Sequence, residues 1–142
     1  MPLERVADRP TWLLSRLNLR AQDLLAEGFA AEGLRGYHFR LLAAVEQYGP
    51  SSQADLGRNT GIDRSDVVAA LNELVEGGLA RREPDPADGR RNVVTITKRG
   101  QTVLERLDRA LDDAQVALLA PLSAPERATF VRLLAKLVRP GE

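Results

Sequence analysis

Apolar residues recur at helical spacing early in the chain, where Leu13, Leu17, Ala21, Leu24 and Leu25 form one stripe. The stripe predicts a first helix over about residues 11–31, opened by Pro10-Thr11 and broken by Gly33 and Gly36. His38, Leu41, Leu42 and Val45 share the face of a second helix over residues 37–47, which Gly49-Pro50 stops. Ser52 opens a short third helix, residues 53–60, with Asp55 at capping-box spacing and Gly61 at its end. Ile62 plugs the turn, and Asp63 is expected to cap a fourth helix. That helix turns Val67, Ala70, Leu71 and Leu74 inward and ends at Gly77-Gly78. Residues 79–83 and 93–96 then read as two strands, with Pro84, Asp85, Pro86, Asp88 and Gly89 as turn formers between them. Thr97 caps a long helix to about Ala120, with Val103, Leu104, Leu107, Leu111, Ala114 and Leu118 on one side. Pro121 breaks it, and Ser123-Ala124-Pro125-Glu126 starts a last helix carrying Phe130, Leu133, Leu134 and Leu137.

The expected fold is mainly α with a small β-wing: a winged helix-turn-helix flanked by N- and C-terminal dimerisation helices. No repeat or low-complexity linker divides the chain, so residues 1–142 read as one domain. Within it, residues 52–97 form the winged unit, and residues 11–48 and 98–138 are mainly helical, with a dimerisation role at the ends. The terminal helices are amphipathic, and one chain offers their stripes few places to be buried. A two-fold homodimer would bury them, homodimers being the commonest symmetric assembly. Pairing of the first and last helices within the chain is the alternative.

A chain of 142 residues can bury a core without disulfides or metal. There is no Cys, which excludes disulfides, thiolate metal sites and thiol redox sensing, and a single His excludes a multi-His metal site within one chain. No cofactor or metal is expected. No stretch reaches the roughly 18 apolar residues of a membrane span, and residues 1–10 are charged rather than signal-like, so a cytoplasmic protein is expected. The net charge is zero, with 20 basic and 20 acidic residues. The balance is local: Leu79 to Gly100 holds six basic residues against three acidic ones. A solvated hairpin surface and a polyanion-binding wing both fit that excess.

A short helix, a tight turn at Gly61 and a second amphipathic helix make a helix-turn-helix signature, and the basic hairpin directly after it makes a winged one. At Ser52-Gln53-Ala54-Asp55-Leu56-Gly57, Gly61-Ile62-Asp63-Arg64-Ser65 and Leu71-Asn72-Glu73-Leu74-Val75-Glu76-Gly77-Gly78-Leu79 the chain resembles the MarR family of bacterial regulators. The wing from Arg82 to Asn92 continues the likeness, and Asp88-x-Arg90 followed by Ile96-Thr97-x-x-Gly100 is its most specific string. The resemblance implies a homodimeric regulator, by family default a repressor, that binds double-stranded DNA at a palindromic operator. A recognition helix reads base edges from its N-terminal end, which here offers Arg64, Ser65 and Asp66. An Arg–guanine bidentate pair discriminates by about 1–3 kcal/mol. Asp66 has two readings, a cytosine acceptor or, the favoured one, a first-turn carboxylate stabilising its helix. Ser52 and Gln53 are expected on backbone phosphate. Arg90 resembles the family arginine that enters the minor groove, and Asp88 is read as orienting the wing by an ion pair. Arg91 reads as a phosphate contact or a plain surface charge.

The same resemblance implies release of DNA by a small aromatic acid. Trp12 and Arg16 lie four apart on the first helix and would suit such an anion. His38 is a third ligand candidate, against the reading of a satisfied core histidine. The family's cysteine-oxidation mechanism cannot operate here. No enzyme is expected: Ser65, Asp66 and His38 are the only materials for a nucleophile–base set, and nothing in the chain places them together. A winged helix used for protein interaction without DNA is the alternative function, but it has no need of a basic wing tip.

Overall fold

In a computed structural model, which describes residues 3–139 and 141, the apolar pattern resolves into six helices and one hairpin. In chain order these are α1 (Pro10–Ala30), α2 (Gly36–Tyr48), α3 (Gln53–Thr60), α4 (Arg64–Glu76), β1 (Ala80–Pro84), β2 (Asn92–Ile96), α5 (Lys98–Leu118) and α6 (Ala124–Val138). Met1 and Pro2, part of the charged opening stretch, lie outside the described residues. The chain falls into two compact units, Leu25–Leu111 and Met1–Leu24 with Asp112–Glu142.

In the unit Leu25–Leu111, α4 buries Val67, Ala70, Leu71 and Leu74 against Leu41, Leu42, Leu56 and Leu107. Phe29 closes one side, stacked on Phe39 with ring centroids 5.5 Å apart. Local chemistry sets the helix ends. Ser52 and Asp55 form the expected capping box: the Asp55 amide donates to Ser52 Oγ at 3.1 Å, and the Ser52 amide donates to Asp55 Oδ2 at 3.2 Å. Gly61 takes the left-handed conformation, φ 70°, that ends α3 and turns the chain into Ile62. Asp63 stands at the N-cap of α4 but makes no side-chain capping bond, so its expected capping role is corrected to backbone position only.

The hairpin is antiparallel, running from Ala80 opposite Ile96 to Pro84 opposite Asn92. The first strand begins one residue later than the apolar pattern suggests. Gly78 is left-handed at φ 75°, and the Leu79 amide donates to Leu74 O at 2.9 Å. This is a Schellman closure, so Leu79 belongs to the end of α4 rather than to the strand. Ser51 adds an unforeseen bridge to β2: its amide donates to Val94 O at 3.1 Å, and the Val94 amide donates to Ser51 O at 2.7 Å. The wing is thereby fastened to the residue before the α3 cap.

Thr97 caps α5, accepting from the Gly100 amide at 3.0 Å while its hydroxyl donates to Gly78 O at 2.7 Å. Gly100 is buried, and a Cβ there would overlap the Leu79 carbonyl.

In the other unit, the Arg20 guanidinium donates to Ala117 O at 3.4 Å. Arg127 Nε donates to Leu119 O and Leu122 O, at 3.1 and 3.0 Å, tying down the turn past the end of α5, where Leu119 O also accepts the Leu122 amide at 2.9 Å. Ser123 and Glu126 form the second expected capping box. Helix α6 buries none of its residues, and Leu13, Leu14, Leu19, Val131, Leu133 and Leu137 are all exposed.

Because the group in its way is backbone, Gly100→Ala is expected to destabilise the protein by at least about 2 kcal/mol. A urea titration with an unshifted midpoint would show that the close approach can relax.

Candidate nucleic-acid interface

The start of α4, the start of α3 and the wing supply the polar, outward side of the unit Leu25–Leu111. Arg64 and Ser65 are exposed at the first turn of α4. With Asp63 and Val68 they line an open depression, and Arg64 also lines a cleft of about 620 Å³ with Gln53, Arg58 and Ile62. Asp66 sits half-buried in that first turn, where a carboxylate complements the helix dipole.

At the start of α3, Gln53 is half-buried and Ser52 only 8% exposed. The Ser52 oxygen accepts the capping bond from the Asp55 amide. Asp55 is held below the usual carboxylate range, first by its side-chain bond with Ser52 and then by the Ser52 amide, and so stays ionised beside Arg58. Ser52 and Gln53 meet the wing in a second cleft of about 330 Å³, lined also by Arg82, Arg91, Asn92 and Val94. The Ser51–Val94 bridge is what brings these segments together.

The wing tip is a chain of carboxylate-anchored turns. The Ala87 amide donates to Asp85 Oδ1 at 2.9 Å, and the Asp85 amide donates to Arg91 O at 2.8 Å. Asp88 Oδ1 accepts from the Arg90 amide at 3.1 Å and from Arg90 Nε at 3.2 Å. The Arg90 side chain is nevertheless 92% exposed. Asp88 thus orients Arg90 without covering it, as the motif spacing suggests. Arg91 lies 4.0 Å from Asp85 and remains mostly exposed.

The model of the MarR family matches residues 32–91, the stretch from before α2 through the wing tip. Reduced MarR from E. coli superposes with a TM-score of 0.81 at 25% identity, over 98% of each chain. The chain belongs to the MarR family. It is 29% identical over 109 residues to the transcriptional repressor NicR of Pseudomonas putida, covering 77% of this chain and 69% of that one. The crystal structure of a probable transcriptional regulator from Pseudomonas aeruginosa superposes with a TM-score of 0.80 at 33% identity, over 93% of this chain and 98% of the other. Bordetella bronchiseptica BpsR, whose DNA binding is regulated by 6-hydroxynicotinic acid, superposes with a TM-score of 0.80 at 25% identity, over 97% and 98%. The mainly helical fold with a two-stranded wing is that of MarR regulators, and the chain is of the MarR-type transcriptional repressor family.

The three residues expected as ligand contacts in this MarR-family chain are divided between the two units. Trp12 and Arg16 lie on α1 in the other unit, the guanidinium 5.8 Å over the indole centroid. His38 is 1% exposed, and both ring nitrogens are engaged within the chain: Nδ1 accepts from the Arg35 amide at 2.9 Å, and Nε2 meets Glu73 Oε2 at 3.1 Å. This is the satisfied-core arrangement, and a ligand role for His38 would require breaking one of these bonds. Conversely, Arg58 and Arg82 line the two clefts, although the family string did not single them out. The basic excess from Leu79 to Gly100 was the available signal for Arg82; Arg58, on α3, lay outside it.

Burial is the first cause that holds His38 below its ordinary pKa of 6.5; Glu73 opposes the shift and Arg35 adds to it. A depressed pKa means the unfolded chain binds the proton first as pH falls. The stability His38 contributes is therefore complete above about pH 6.5 and declines below it. Urea midpoints are expected to fall from about pH 7 to about pH 5 more steeply in the wild type than in His38→Gln. Parallel profiles for the two proteins would remove His38 as the cause.

Proposed function

We propose that this chain is a homodimeric repressor that binds double-stranded DNA at a palindromic operator and leaves it when a small aromatic acid binds. The observation that carries the DNA reading is Arg90, fixed at the wing tip by Asp88 yet almost fully exposed. A guanidinium so presented suits a narrow, A·T-rich minor groove, where negative potential is concentrated. Arg64 and Ser65 at the start of α4 would read base edges in the adjacent major groove. Gln53, Arg91 and the rim of Ser52 would meet backbone phosphates, with Asp66 supporting the helix rather than touching DNA. BpsR, at 25% identity, is a relative with ligand-regulated DNA binding.

Dimerisation is supported by the exposed apolar residues of α1 and α6, a surface that one chain leaves in water. Among the described residues no helix is long and apolar enough to cross a membrane, which accords with a cytoplasmic regulator. The effector reading rests on Trp12 and Arg16, a ring with a cation over it that an aromatic carboxylate could engage.

Arg90→Ala is expected to weaken operator binding about tenfold or more while leaving the melting temperature unchanged. The operator for this gel-shift titration comes from selection on random DNA, which should return half-sites about one helical turn apart. Wild-type affinity in the variant would eliminate the minor-groove role.

Aromatic acids are expected to raise the thermal midpoint and release the operator, and Arg16→Ala to abolish both responses. A panel of hydroxybenzoic and hydroxynicotinic acids that moves neither quantity would dismiss the effector reading.

A further inference from the structure

Helix α4 is held by two kinds of contact. Its apolar side is buried, which fixes its depth in the unit. The hydrophobic term is not directional, whereas a hydrogen bond fixes the relative placement of its two partners. Its polar side is tied at two successive residues. Asn72 Oδ1 accepts from Arg82 Nη2 of β1 at 2.6 Å. Both carboxylate oxygens of Glu73 are gripped from the start of α2: Oε1 accepts from Arg35 Nη2 at 3.2 Å and Oε2 from His38 Nε2 at 3.1 Å.

The Glu73 ties form a closed loop. His38 Nδ1 accepts the Arg35 amide, which places the ring proton on Nε2 and aims it at Glu73. Arg35 therefore contributes twice, through its amide to the ring and through its guanidinium to the carboxylate. The ring is buried, so its bond to Glu73 is directional and shielded on one side.

We propose that Arg35, His38 and Glu73 form a clamp that sets the axial and rotational position of α4, making them positioning residues for operator reading that do not touch DNA. The proposal rests on the reading of α4 as the recognition helix. Arg64 and Ser65 lie about 12–14 Å further along the same helix, at about 1.5 Å per residue. A slip or turn of the rigid helix at Glu73 displaces them by a comparable amount, and base-edge hydrogen bonds tolerate only a few tenths of an ångström. Phosphate attraction tolerates more. Loss of the clamp therefore costs discrimination before it costs overall affinity.

The test compares wild type, Glu73→Ala, His38→Leu, the double variant and His38→Gln as full chains. Two quantities are measured: amide exchange along α4, without DNA, and the ratio of affinity for the selected operator to affinity for random duplex. Gln can accept the Arg35 amide and donate to Glu73, so His38→Gln should match wild type near neutral pH in both. Glu73→Ala and His38→Leu should each speed exchange in α4 relative to α3 and lower the ratio about tenfold, with the double variant no worse than either. Urea midpoints taken alongside separate this from general unfolding, in which exchange would rise in α3 and α4 alike. Wild-type exchange and an unchanged ratio in Glu73→Ala would overturn the clamp, as would additive losses in the double variant. If the wild type itself fails to distinguish operator from random duplex, the DNA reading fails, and exchange alone decides the clamp.

Discussion

Burial of one side of α4 is the constraint on which the winged unit depends. Val67, Ala70, Leu71 and Leu74 reach into a core built by α2, α3, α5 and the base of the hairpin. Each fully buried Leu stabilises by about 1.5–3 kcal/mol, against about 1 kcal/mol for a typical hydrogen bond. The apolar side therefore decides that α4 exists and how deep it lies. The polar bonds at Asn72, Glu73 and Leu79 are individually weaker but directional, and they add geometric definition to its placement. A reader of base edges needs both.

Features encoded within a few residues were legible in the chain. The bounds of α3, the Ser52–Asp55 and Ser123–Glu126 boxes and the left-handed Gly61 all follow from short-range spacing. So does the link from Asp88 to Arg90, two residues apart. Features joining distant segments were not. Nothing near Ser51 announces that it pairs with Val94, and nothing near His38 names Glu73 as its partner. The one-residue shift of β1 came from a competition that pattern alone cannot judge. Leu79 fits a strand, but Gly78 ahead of it closes the helix first. Asp63 shows the opposite error: a good capping residue at the capping position whose side chain makes no cap.

The candidate site divides along the same line. Arg64, Ser65, Arg90 and Arg91 were identifiable because exposure at a helix start or a turn tip is itself a local property. Arg82 was signalled only through the basic excess of the hairpin, and Arg58 becomes part of the picture only once the clefts at α3 are seen. Zero net charge gave no hint of a polyanion partner, because the acidic residues nearby act on the arginines rather than on a ligand. Asp55 pairs with Arg58, Asp85 with Arg91 and Asp88 with Arg90. Each of these carboxylates offsets one arginine in the sum, and Asp88 also orients its partner while leaving the guanidinium exposed.

The bridge between Ser51 and Val94 separates two properties that a hairpin would otherwise mix. Val94, paired across the hairpin with Arg82, is held to the segment before α3 by this bridge. Past the end of the ladder at Pro84 and Asn92, the tip from Asp85 to Arg90 is closed by its own turn bonds, while Arg91 still lines the cleft with Ser52 and Gln53. Residues added to or removed from the tip would alter how far Arg90 reaches without disturbing the grip at the base. In this architecture the span of the footprint on a polymer can diverge between close relatives while the hold on it stays constant.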